Sequence, residues 1–172
     1  MCGAAGTGKT TTAWEIGHRL IAAGVPHAVL DTDELDRVWP RPDDIERLVD
    51  IARRNLAAFW RTYAELGTER LVLAGVMAAL PMNRAWIEAA IPGARVTFVR
   101  LRASRATREE RLQRRELGTG FERDLRHSDV ATGYVEEHDP ADMLVVVTDG
   151  KSVVEVADEV LSLAGWLEPG GR

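Results

Sequence analysis

Apolar positions along the chain follow two alternating rhythms. Short continuous runs, at 28–30, 70–74, 96–101 and 143–147, have the length and β-branched content of buried strands. Between them, apolar residues recur at three- and four-residue spacing, the pattern of helices with one buried stripe. The first predicted helix covers 9–23, with Ala13, Ile16, Gly17, Leu20 and Ile21 on one face and Gly24 as its stop. A long helix opens at Asp43 or Asp44 and ends near Gly67. Its predicted stripe is Ile45, Leu48, Val49, Ala52, Leu56, Phe59, Trp60 and Tyr63. Further helices are expected at 82–90, 104–117 and 129–137, and a last one, capped by Ser152, with Val153, Val156, Ala157, Val160, Leu161 and Ala164 inward. The polar stretch 119–128 reads as a mobile loop and 168–172 as a disordered tail.

Strands that alternate with helices predict a mostly parallel sheet covered on both faces, an α/β three-layer fold. At 172 residues the chain fits one domain, here 1–167. No apolar run approaches the length of a membrane span and no signal-like segment opens the chain, so a cytoplasmic protein is expected. The only cysteine, Cys2, rules out an internal disulfide. A net charge of −5 speaks against a nucleic-acid partner. Of the 22 basic residues only Lys9 and Lys151 are lysines, which makes their positions informative.

Lys9 falls inside Gly3-Ala4-Ala5-Gly6-Thr7-Gly8-Lys9-Thr10, a match to G-x-x-x-x-G-K-[ST] that opens a predicted helix. The glycines let successive N–H groups converge on phosphate oxygens, and the helix dipole adds to the attraction. Lys9 supplies charge to the β- and γ-phosphates and Thr10 a hydroxyl to Mg²⁺; Thr11 follows within the same nucleotide contact. Asp31 and Asp33 end the next strand, where ligands of open sheets bind. One can hold Mg²⁺ through water and the other orient or deprotonate an acceptor hydroxyl. A plain turn with a helix cap remains the other reading. Arg108, Arg111 and Arg115 share a helical face that is suited either to closing over a phosphoryl group or to forming solvent ion pairs with Glu109, Glu110 and Glu116. Arg123 and Arg126 are further candidates for that lid, placed at 104–128. Thr148-Asp149-Gly150-Lys151 suits a loop beside the base, and Trp39 either lines an acceptor pocket or packs. His18, His27, His127 and His138 have no ligand spacing.

With these motifs in this order, the chain resembles the P-loop small-molecule kinases, such as shikimate kinase, adenylylsulfate kinase and the chloramphenicol and tunicamycin-resistance phosphotransferases. The resemblance implies a five-stranded sheet of order 2-3-1-4-5, with ATP and Mg²⁺ as cofactors. It also implies phosphoryl transfer to a small hydroxyl-bearing acceptor by a monomer or homodimer, with no membrane partner. Asp31-Thr32-Asp33 is similar to the D-T-D of shikimate kinases, implying Asp31 near Mg²⁺ and Asp33 at the acceptor; Arg111 and Arg115 fall where such kinases carry lid arginines. Leu73-Ala74-Gly75-Val76 departs from the family: it lacks both a triple glycine and the acid many nucleotide kinases carry there, which shifts Mg²⁺ duty to Thr10 and the aspartates. A nucleotide kinase, a regulatory nucleotide binder and an inactive P-loop protein are the rival readings. Only Met1 and Cys2 precede the cradle, so its strand is a stub, and about four to six further apolar residues are expected upstream.

Overall fold

The computed structural model describes residues 1–75, 81–115 and 141–167, with backbone alone for 81–83 and 115. Expected elements that fall elsewhere (the helix at 129–137, the loop at 119–128, Arg123, Arg126 and the tail) lie outside the described residues.

Strands β1 (His27–Asp31) and β2 (Arg70–Ala74) pair in parallel, with Asp31 opposite Ala74. Strands β3 (Val99–Arg102) and β4 (Leu144–Val147) form a second parallel pair. Met1 and Cys2 join the two. The Met1 amine donates to the Leu73 carbonyl at 2.6 Å, and Gly75 N–H donates back to Met1 O at 3.1 Å. On the other side Cys2 N–H donates to Val99 O and Leu101 N–H to Cys2 O, both at 2.9 Å. The spatial order is therefore β1, β2, stub, β3, β4, the 2-3-1-4-5 arrangement when the stub counts as the first strand.

Helices α1 (Lys9–Ala22) and α5 (Val153–Leu163) cover one face. Ile16 and Leu20 of α1 meet Val72, Leu101 and Val146 of the sheet and Val156, Val160 and Leu161 of α5. The opposite face carries α2 (Ile45–Glu65) and α3 (Pro81–Ala90), where Leu56, Ile87 and Ile91 pack with Leu30 and Leu35. Ser152 caps α5 in a reciprocal box with Glu155, as its sequence pattern predicts. Asp44 starts α2, its carboxylate accepting from Glu46 N–H at 2.9 Å. No helix among the described residues is long and apolar enough to cross a membrane.

Four expectations need correction. Ile21, expected on the inward face of α1, is exposed, and Thr12 is buried instead. The strand predicted at 96–101 begins only at Val99. Below that point residues 94–98 and β2 line a cavity of about 760 Å³, and among the described residues 94–98 have no ladder partner on that side. The α2 stripe is only partly covered: Leu48 and Leu56 are buried, whereas Ile45, Val49 and Phe59 are exposed. In α5 Val153 also points outward, and Val156, Ala157, Val160 and Leu161 carry the packing.

Candidate functional site

The cradle runs from Gly3 to Thr10 between the stub and α1. Two of its glycines are obligatory for different reasons. Gly3 adopts φ 143°, and a Cβ there would sit 2.4 Å from the Leu101 carbonyl. Gly6 adopts φ 81°, and its Cβ would meet the backbone of Arg108 at 2.8 Å. Thr7 closes the loop, donating its hydroxyl to Ala4 O at 2.9 Å, and Lys9 Nζ spans the cradle to the same carbonyl at 3.0 Å. Helix α1 has neither a side-chain cap nor an acidic residue in its first turn. Its N-terminal N–H groups and dipole are thus directed at whatever anion enters the loop.

These residues open onto a cleft of about 1070 Å³ lined from Ala5 to Thr12 and, opposite, by Asp31, Asp33, Glu34 and Arg37. Gly3 and Ala4 shape the cradle from behind. Thr10 Oγ1 donates to Asp31 Oδ2 at 3.2 Å, which places two hard oxygen donors side by side. The other Asp31 oxygen accepts from Asp33 N–H at 3.0 Å and starts a single 3₁₀ turn, Thr32–Glu34. Asp31 thus serves as turn cap and cleft residue at once, uniting the two readings its position allows. Partial burial, and then the charge of Asp31, push the Asp33 carboxyl above the usual aspartate range.

Where β2 ends, Thr32 stands against Gly75. A Cβ at Gly75 would lie 1.7 Å from Thr32 Oγ1, because Thr32 fills that space and donates to Ala74 O at 3.3 Å. A side chain at Gly75 would require Thr32 to give up this position.

Helix α4 (Arg105–Arg115) forms the third wall. Arg105 and Arg114 make exposed i,i+4 ion pairs with Glu109 and Glu110, the solvent-helix reading. Arg108 is buried against Gly6. Arg111 turns inward: Nη1 donates to Thr148 Oγ1 at 2.9 Å and lies 3.4 Å from the carbonyls of Gly6 and Thr7, while Nη2 donates to Thr148 O at 3.0 Å. The Arg115 side chain lies outside the described residues. Gly150 sits in the turn after β4 with φ 68°, and its neighbours Thr148 and Lys151 line the cleft. Trp39 is 91% exposed and packs against no core. Sequence reasoning missed Glu34 and Arg37 as cleft residues; their place one turn after the aspartates was the available signal. Among the described residues no cluster of three His, Cys, Asp or Glu converges as a metal cage. A Mg²⁺ ion needs none, since it is commonly held by one or two carboxylates plus substrate phosphates.

Residues 1–138 match the model of a family described as an AAA domain. No curated protein matches the chain. Among solved structures, the APS kinase of Mycobacterium tuberculosis in complex with AMPPNP and APS superposes with a TM-score of 0.62 at 20% identity, covering 95% of this chain and 94% of that one. A sugar kinase from Janibacter sp. HTCC2649 gives 0.66 at 20% identity, with 95% and 91% covered. A gluconokinase from Sinorhizobium meliloti 1021 gives 0.59 at 22% identity, with 95% and 89% covered. At these identities the likeness is one of fold.

Proposed function

This chain belongs to the AAA-domain family, and from that premise we propose that it transfers the γ-phosphoryl group of ATP to a hydroxyl of a small-molecule acceptor. The observation that carries the reading is the convergence of Lys9, the Thr10–Asp31 pair and Asp33 on one cleft. A switch needs the first two; a carboxylate of raised pKa facing them across the cleft suits a base for an acceptor proton. The fold neighbours, an APS kinase, a sugar kinase and a gluconokinase, support the same class.

In this reading the N–H groups of Ala5 to Thr10 bind the β- and γ-phosphates and Lys9 neutralises part of their charge. Thr10 and Asp31 are the oxygen donors for Mg²⁺, which when bound offsets charge on the phosphates. Asp33 orients the acceptor hydroxyl and takes up its proton. Arg37 and Glu34 border the acceptor side of the cleft.

The test is ADP release from MgATP in the presence of a panel of small polyols, sugars, hydroxy acids and nucleoside monophosphates, with the product identified by mass spectrometry. Phosphorylation of a hydroxyl supports the proposal. Consumption of monophosphates alone assigns a nucleotide kinase, and tight ATP binding without turnover by any acceptor assigns a regulatory or inactive protein.

A further inference from the structure

Helix α4 is fastened to the rest of the protein at its very start. Both oxygens of Asp149, in the turn after β4, accept from Ser104 N–H at 3.0 Å, and Thr107 Oγ1 donates to Asp149 at 2.6 Å. Ser104 and Thr107 also bond each other, at 2.9 Å between hydroxyls and 3.2 Å from Thr107 N–H to Ser104 Oγ. A residue from another strand connection thus supplies part of the cap, which a helix ordinarily takes from its own N-cap side chain.

What this cap positions lies one turn further on. Thr107 and Arg111 are four residues apart, on one face of α4. Arg111 reaches Thr148, the residue next to Asp149, and the cradle carbonyls of Gly6 and Thr7. Between them the α4 backbone approaches Gly6 so closely that no Cβ fits. Cradle, α4 and the β4 turn are therefore three pieces held in one closed loop of contacts.

We propose that Asp149, acting with Thr107, is a positioning residue for the nucleotide site: it sets the place of α4, and through Arg111 the shape of the phosphate cradle. The proposal rests on the ATP-binding reading above and adds a residue that touches no phosphate. It makes α4 through Arg111 part of the fixed wall of the site.

Hydrogen bonding holds the Asp149 carboxyl down at about 2, so it stays ionised throughout the working pH range. The contact accordingly does not switch with pH between 5 and 8.

The experiment measures MgATP affinity by calorimetry and amide hydrogen exchange of the cradle in the nucleotide-free protein. The variants are Asp149→Ala, Asp149→Asn, Thr107→Val and Thr107→Ser, alone and combined with Arg111→Ala. Asp149→Ala and Thr107→Val are expected to weaken ATP binding about tenfold and to speed exchange across residues 3–10. The Asn and Ser variants, which keep an acceptor or donor in place, are expected to stay within about threefold of the parent. On an Arg111→Ala background, Asp149→Ala should add little, since coupled residues are non-additive. Unchanged cradle exchange and ATP affinity in both truncations overturn the proposal, as does full additivity with Arg111→Ala. A parent protein that binds no ATP overturns the kinase reading instead, and the exchange data then decide the positioning role alone.

Discussion

The two ends of the sheet's centre are built on opposite principles. At the carboxyl end the stub of Met1 and Cys2 is hydrogen-bonded on both sides, and around it stand the cradle, the aspartates, Thr32 and α4. Space there is so scarce that three glycines have no room for a methyl group. At the amino end, between β2 and residues 94–99, lies a cavity of about 760 Å³ whose wall includes Leu71, Val72, Val96, Phe98 and Trp166. The phosphate loop is held from above by close contacts to Leu101 and Arg108 and by the hydrogen bonds of Arg111. Cys2 packs on Phe98 below it, and Met1 against the main core. Close packing thus shapes the site, while the other end of the same strands borders open space.

Substitutions at the crowded end should give the largest effects. Asp33→Asn is expected to lower phosphoryl transfer by about 10²–10⁴-fold, the usual worth of a positioned acid–base group, while ATP affinity stays within a few fold. Steady-state kinetics together with calorimetry check this, and equal losses in both would remove Asp33 from the acceptor side. Next in size, Gly6→Ala combines a positive φ with a contact to Arg108 backbone, a strain of roughly 1–3 kcal/mol. Chemical denaturation should show that loss together with weaker nucleotide binding. An alanine variant as stable as the parent would mean that α4 stands off the cradle.

The empty end invites the reverse operation. Fusing four to six β-forming apolar residues ahead of Met1 tests whether a strand is accepted between β2 and residues 94–98, where each buried backbone group that gains a partner is worth about 1–3 kcal/mol. The melting temperature should then rise by a few degrees at least, since about 1 kcal/mol corresponds to 2–4 °C in a chain of this size. No rise, with the added residues fully exchanging in deuterium, would show that the cavity does not accept a strand.

The smallest effect separates two aspartates by sign. Asp33 has its folded-state pKa raised, so folding favours its protonated form; that contribution is complete below the ordinary 3.8 and is lost as pH climbs through the raised value. Asp33→Asn should therefore melt slightly higher than the parent at pH 7, and this gain should vanish in acid. Activity runs the other way, falling on the acid side as Asp33 gains its proton. Asp149, held at about 2, contributes stability that is present above 3.8 and is lost only as pH falls toward 2. Thermal melts between pH 3 and 8 distinguish the two.

The cradle was legible in the sequence because its glycines and Lys9 answer to backbone sterics and charge, which act locally. Helix starts at Asp44 and Ser152 were legible for the same reason: a cap is set by residues two or three positions apart. The late start of β3 at Val99 was not, since where a strand begins depends on pairing across the sheet, which Val96-Thr97-Phe98 does not itself encode. Thr32 filling the space over Gly75, and Asp149 capping a helix some forty residues earlier, depend on contacts across the fold that no local pattern encodes. The Arg111 side chain could be placed on a helix face but not aimed; its partner Thr148 lies 37 residues on.

Cys2 carries a practical consequence. It is the single thiol of the chain, wholly enclosed between β2 and β3, and burial pushes its pKa up. A thiolate is the reactive form and an enclosed thiol is shielded from reagent. Alkylation of the native protein should therefore proceed only through moments when the sheet parts at its middle, making the labelling rate a clock for that opening. Because the cradle begins at the very next residue, repeating the labelling with MgATP present tests whether an occupied cradle slows that opening.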